Sequence, residues 1–196
     1  MWSLFDADEG KPVCNSVQKS TLEGDFIDTL GGDRCGRLKK EEIEKLSDDD
    51  PRLVTSKAVQ CNQVVYGVLS GKLKEADGTE VQLDNLPIVS YFKKSGYMPM
   101  NNFIRGLHDR KKIVPRVEVN LKTSKAKKGS VTFFVPVPTE GKSLTALSDE
   151  DKKLIRMFKD TIDAANANVL KKYNEALRGS VSEEDSDLSK DFDAIT

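Results

Sequence analysis

Arg116-Val117-Glu118-Val119-Asn120-Leu121-Lys122 alternates polar and apolar side chains without a break. Seven residues further on, Ser130-Val131-Thr132-Phe133-Phe134-Val135-Pro136-Val137 carries a second β-rich run. Period-2 alternation marks a strand with one covered face. The pair therefore predicts an antiparallel hairpin. Val117, Val119 and Leu121 are expected to turn inward, with Val131, Phe133, Val135 and Val137 on one face of the partner strand and Phe134 on the other. The intervening Thr123-Ser124-Lys125-Ala126-Lys127-Lys128-Gly129 reads as a loop whose charge is all positive.

Upstream, residues 58–69 are rich in valine and predict another strand. Val59, Cys61, Val65 and Leu69 fall on one face, and Asn62, Val64, Tyr66 and Val68 on the other. Ala76-Asp77-Gly78-Thr79 is a turn signal that places Val81 and Leu83 on a following strand. A third strand is expected over residues 87–92, and Asn101 or Asn102 is expected to cap a short helix reaching Leu107 and Lys111. Downstream, Ser148-Asp149-Glu150-Asp151 has the capping-box pattern and acidic first turn of a helix start. Leu154, Phe158, Ile162, Ala165, Val169 and Tyr173 follow at helical spacing, and Gly179 suits a C-terminal cap. About 30 residues at roughly 1.5 Å each make a rod of roughly 45 Å, which is expected to pack partly on another subunit.

The expected fold class is α+β: a curved antiparallel sheet, of the oligonucleotide-binding barrel type, with a long C-terminal helix. Four segments follow. Residues 1–50 are irregular and packed on the core, with a tight turn at Gly31-Gly32-Asp33 and a short helix over 37–47 closed by Asp48-Asp49-Asp50-Pro51. Residues 51–146 are a β-rich core, 147–179 an oligomerisation helix, and 180–196 a disordered acidic tail.

At 196 residues the chain is long enough to bury a core without staples. It has no apolar run of about 18 residues, so no membrane span is expected. The N-terminus lacks a secretory pattern. With three cysteines, an odd number, this points to a reducing cytoplasm. Spacings of 21 and 26 between Cys14, Cys35 and Cys61, with no Cys-x-x-Cys knuckle, make a weak zinc signal, and no metal or cofactor is expected. His108 is the only histidine and stands in a polar context, there is no phosphate-binding glycine loop or nucleophile elbow, and an enzyme is not expected.

The formal net charge of −1 hides a segregation. Residues 91–128 hold eleven Lys/Arg against only Asp109 and Glu118, whereas the last eighteen residues hold Lys190 against six acids. The basic block interleaves Tyr91, Phe92, Tyr97 and Phe103 with Lys93, Lys94, Arg105, Arg110, Lys111, Lys112 and Arg116, and Lys122, Lys125, Lys127, Lys128 and Phe134 extend it. Single-stranded nucleic acid requires both kinds of side chain, cations along the phosphates and aromatic faces under unpaired bases. The acidic tail, with Asp191, Phe192 and Asp193 near its tip, is expected to occupy the basic groove in the absence of nucleic acid and to dock on partner proteins when displaced.

A basic, aromatic-bearing β-rich core followed by an acidic tail carrying Phe192 resembles the single-stranded DNA-binding proteins of bacteria and their phages. Cys14-Asn15-Ser16, Gly31-Gly32-Asp33-Arg34-Cys35 and Cys61 before a valine-rich strand are similar to small phage early-region proteins. The closest functional likeness is to the single-stranded DNA-binding RNA polymerase cofactors of podophages. The resemblance implies non-sequence-specific binding of single-stranded DNA in phage replication or transcription, homo-oligomerisation, and recruitment of a phage or host RNA polymerase or of replication proteins through the tail. The alternative is a protein-interaction module, such as a DNA-mimicking inhibitor of a host enzyme, in which the acidic segments rather than the basic block make the contact.

Overall fold

The computed structural model describes residues 1–6, 11–21 and 23–193, with 180–193 described as backbone only. The strands are β1 (Trp2–Asp6), β2 (Lys11–Asn15), β3 (Gln60–Cys61), β4 (Gln63–Lys74), β5 (Glu80–Phe92), β6 (Val117–Lys128) and β7 (Val131–Ser143). The helices are α1 (Lys40–Ile43), α2 (Pro51–Ala58), α3 (Tyr97–Asp109) and α4 (Asp149–Asp193). Helices and antiparallel sheets together make the chain α+β. Where one curved sheet was expected, the described strands form three sheets: β2-β1-β3, β4-β5 and β6-β7. None is closed. Two compact units result, one of Met1–Cys61 with Thr161–Thr196 and one of Asn62–Asp160.

In the first unit the described N-terminal residues include β1, β2 and α1, where an irregular segment was expected. Their hydrogen bonds are made over long separations and leave little local pattern. Ser16 Oγ accepts from Trp2 N at 2.8 Å, and Asn166 of α4 clamps Gln18 from both sides, at 2.7 Å and 3.0 Å. Phe26 is fully buried with Val17 and Val169, edge-on to Trp2 at 6.5 Å, an arrangement aromatic rings favour. The Asp28 carboxylate, also buried, accepts from the backbone N–H of Leu30, Gly32 and Cys35 and so winds residues 28–35 around itself. Gly31 has φ +82°, and a Cβ there would lie 3.2 Å from Ala176 Cβ. Glycine alone meets both conditions.

That loop delivers Cys35 to Cys14. The two are joined in a disulfide with a Cα–Cα distance of 5.7 Å, which corrects the expectation of three reduced thiols. The pairing depends on the 28–35 turn, which residue spacing did not reveal, and it removes the support that the cysteine count lent to a reducing compartment. Cys61 is free and half-buried, pairing with Trp2 in β3 instead of sharing a strand face with Val65. The run expected over 58–69 is broken at Asn62: Ala58 ends α2, and β4 begins at Gln63.

The second unit consists of two long hairpins, α3 and the start of α4. The two strands expected around Leu83 and over 87–92 are one strand, β5. Helix α3 starts at Tyr97, ahead of the asparagines proposed as caps, and turns the buried Met100 and Leu107 inward. The short helix expected over 37–47 contracts to α1. At the start of α4, Ser148 Oγ accepts from Asp151 N at 3.0 Å while Asp151 accepts from Ser148 N at 2.9 Å, the expected reciprocal cap. Phe158 of α4 packs on Tyr66 at 5.8 Å. The helix does not stop at Gly179 but runs to Asp193. The tail side chains, Asp191, Phe192 and Asp193 among them, lie outside the described residues. No described helix is long and apolar enough to cross a membrane.

Candidate nucleic-acid interface

The hairpin that opened the sequence reading is longer than its alternation suggested. β6 continues through the presumed lysine loop to Lys128, and the turn is only Gly129-Ser130. Gly129 has φ +61°, the left-handed value a tight two-residue hairpin turn asks of its first position. Residues 123–128 contain no alternating apolar signal. The partner strand 131–137 zips them into register.

The register also corrects the expected inner face. Side chains directly across an antiparallel pair share a face. Leu121, Thr123, Lys125 and Lys127 pair with Pro138, Pro136, Phe134 and Thr132, while Lys122, Ser124, Ala126 and Lys128 pair with Val137, Val135, Phe133 and Val131. The apolar sets of the two strands thus lie on opposite faces. Val119 and Leu121, expected to be inward, are exposed. Each face of the ribbon mixes apolar and cationic side chains: Lys125 stands across from Phe134 on one, and Lys122 and Lys128 across from Val137 and Val131 on the other.

On the first face, Phe134 is 65% exposed and directly across from Lys125. Lys127 follows two residues on, about 7 Å further along the strand. Lys122, Lys125, Lys127 and Lys128 are all exposed, and none has an ion-pair partner among the described residues. Thus the ribbon presents a bare aromatic ring with ammonium groups beside it and at its flanks.

The rest of the basic block is used differently. Glu140 on β7 bonds Arg110 at 2.9 Å and Lys112 more closely. The Lys112 hydrogen bond, reinforced by the charges of Lys112 and Arg110, holds the Glu140 carboxyl below its usual range. Arg116 donates to the Thr145 carbonyl and keeps its Nε buried. Phe92, Tyr97, Phe103, Lys112 and Arg116 are half-buried, whereas Tyr91, Lys93, Lys94, Arg105, Arg110 and Lys111 are exposed. Arg110, Lys111 and Lys112 follow α3, where cations complement the negative end of the helix dipole. His108 is exposed in the last turn of that helix. The structure therefore sets the β6 lysines beside Phe134, while the α3 region packs on β7 with Gly96 against Pro136, two residues along the strand from Phe134.

Cys14, Asp28 and Cys35 bring their donor atoms within 4.8 Å of one another. Both sulfurs are bonded to each other and the carboxylate takes three backbone N–H groups, so these atoms are already engaged. No protein-family profile, curated protein or solved structure matches this chain.

Proposed function

We propose that this protein is a non-enzymatic binder of single-stranded DNA with little sequence preference, and that the β6–β7 ribbon is its contact surface. The observation that carries the reading is the exposed Phe134 ring set directly across from Lys125, with Lys127 on the same face and Lys122 and Lys128 on the reverse. A base stacked on such a ring gains about 1–3 kcal/mol whatever its identity, and the lysines supply the sequence-independent attraction to phosphates. A two-stranded ribbon suffices for this chemistry, because at its outer end Lys125 and Phe134 are exposed on one face and Lys128 and Val131 on the other. Curling of the sheets toward an oligonucleotide-binding barrel belongs to the same reading, as do homo-oligomerisation and recruitment of an RNA polymerase or replication proteins through Asp191, Phe192 and Asp193.

The test is fluorescence anisotropy of labelled poly-dT, a matched duplex and a matched RNA at two salt concentrations. Salt-dependent preference for the single DNA strand that weakens in Phe134→Ala supports the reading. An absence of binding at low salt would overturn it and bring forward the acidic-mimic alternative.

A further inference from the structure

The other ribbon, β4–β5, is built to a different plan. Its register runs regularly from Gln63↔Phe92 to Leu69↔Leu86, shifts, and resumes at Gly71↔Leu83. In the shift Asp84 and Asn85 stand against Ser70, and Asn85, at φ +51°, donates its N–H to Ser70 Oγ at 3.0 Å. Leu86, Leu83 and Val81 are spaced three and then two apart, so an uninterrupted strand would turn Leu83 away from the face of Leu86. The extra residue restores the alternation. Leu69, Leu73, Val81, Leu83 and Leu86 consequently line one face of the outer ribbon, and Lys72, Lys74, Glu80 and Gln82 line the other. The result is an amphipathic hairpin end whose apolar face lies open: Leu69, Leu73 and Leu86 are 41%, 50% and 47% exposed. Between Leu69 and Leu73 is Gly71, where an added Cβ would meet no atom within 4 Å.

We propose that this face is a self-association surface and that its occupant is the same ribbon of a second copy of the chain. A polyanion is disfavoured there, because the face carries no cation and residues 72–84 hold Lys72 and Lys74 against Glu75, Asp77, Glu80 and Asp84. A small polar ligand would find no donor or acceptor side chain to orient it. An uncharged aliphatic face is complementary to itself, as a two-fold contact requires. Two such faces stack about 10 Å apart as a four-stranded sandwich, with a leucine of each copy entering the notch at the other's Gly71. The patch is small, five aliphatic side chains, against about 20–30 residues a side in a standard interface. The association is therefore weak and concentration-dependent, not obligate.

Sedimentation velocity of the full chain without nucleic acid, from about 5 to 500 μM, a span suited to a weak contact, tests this. The sedimentation coefficient is expected to rise with concentration. Leu69→Lys/Leu86→Lys is expected to weaken association at least about tenfold, the scale of losing a central anchor, while Lys72→Ala/Gln82→Ala on the opposite face leaves it unchanged. If circular dichroism shows the double variant to be misfolded, Leu73→Gln at the ribbon end supplies a milder test with the same expected direction. A wild-type monomer at every concentration, association that survives the leucine substitutions, or equal loss from the polar-face variant would overturn the proposal. Wild-type affinity of the leucine variants for an oligonucleotide long enough for one molecule separates this outcome from failure of the DNA-binding reading.

Discussion

The β4–β5 and β6–β7 ribbons have nearly the same covalent length and the same antiparallel pairing, yet their surfaces differ in kind. The outer half of β4–β5 segregates its side chains, aliphatic on one face and polar on the other. β6–β7 mixes them on both. The bulge at Asn85 keeps the leucines of β5 in phase with those of β4, whereas β6–β7, whose own register shift lies between Val117 and Val119, sets Lys122, Ser124 and Lys128 across from valines and Lys125 across from Phe134. Registry, which composition does not report, decides whether a hairpin segregates its apolar side chains on one face or mixes them with cations on both.

The strongest way to break this contrast is to remove its charge. Changing Lys122, Lys125, Lys127 and Lys128 together to Ala is expected to weaken poly-dT binding by about 100- to 1,000-fold at roughly 0.1 M salt. The same change should flatten the log K against log salt slope by about 3, since each single-strand contact contributes about 0.7. Lys72→Ala/Lys74→Ala on the other ribbon is expected to do little. Equal losses from both would abolish the distinction.

Phe134→Ala, read by the same anisotropy titration, is expected to cost about 5- to 150-fold in affinity with the salt slope unchanged, the equivalent of about 1–3 kcal/mol of stacking. Opening the Cys14–Cys35 bond with a dithiol, or replacing both residues with serine, sharpens the comparison from outside. Closing a loop across a separation of 21 residues is worth about 3 kcal/mol. Thermal melts are therefore expected to show a lowered melting temperature in the reduced or doubly substituted protein.

Glu140→Gln is expected to tighten DNA binding by only a few-fold and to steepen its salt slope, because Arg110 and Lys112 lose their common anion. The sign with pH follows from the same contact. The folded carboxyl lies below its ordinary 4.5, so its contribution is complete above that value and disappears as pH falls through the lowered one. Acid titration of the wild type, followed by NMR of the Glu140 side chain, should therefore loosen the α3–β7 contact, and the Gln variant should show no such step. The smallest expected effect is modest tightening on removal of residues 180–196, as relief of competition by the acids.

Much of this arrangement is legible in residue patterns. The strict alternation at 116–122 located β6, the Ala76-Asp77-Gly78-Thr79 signal located the β4–β5 turn, and Ser148 with Asp151 located the start of α4. What escaped was anything whose partner lies far away in sequence. The lysines of 123–128 alternate with Thr, Ser and Ala, which have no hydrophobic contrast, so the strand was visible only through the register of β7. The ordered N-terminal sheet hinges on Trp2 meeting Ser16 and Cys61. The aromatics at 92, 97 and 103 have the composition of a base-stacking block, but packing around α3 half-buries them.

By itself the sequence determined the α+β class, the hairpin signals, the helix start and the concentration of positive charge over residues 91–128, because periodicity, capping chemistry and charge are properties of neighbours along the chain. Only the tertiary structure decided which cations are engaged by Glu140 and which stand open beside Phe134, that Cys14 bonds Cys35, and that five aliphatic residues of one ribbon share a face on which Leu69, Leu73 and Leu86 are exposed. Each of these depends on register or on a turn that joins distant residues, and a shift of one residue in a strand exchanges every side chain between its two faces.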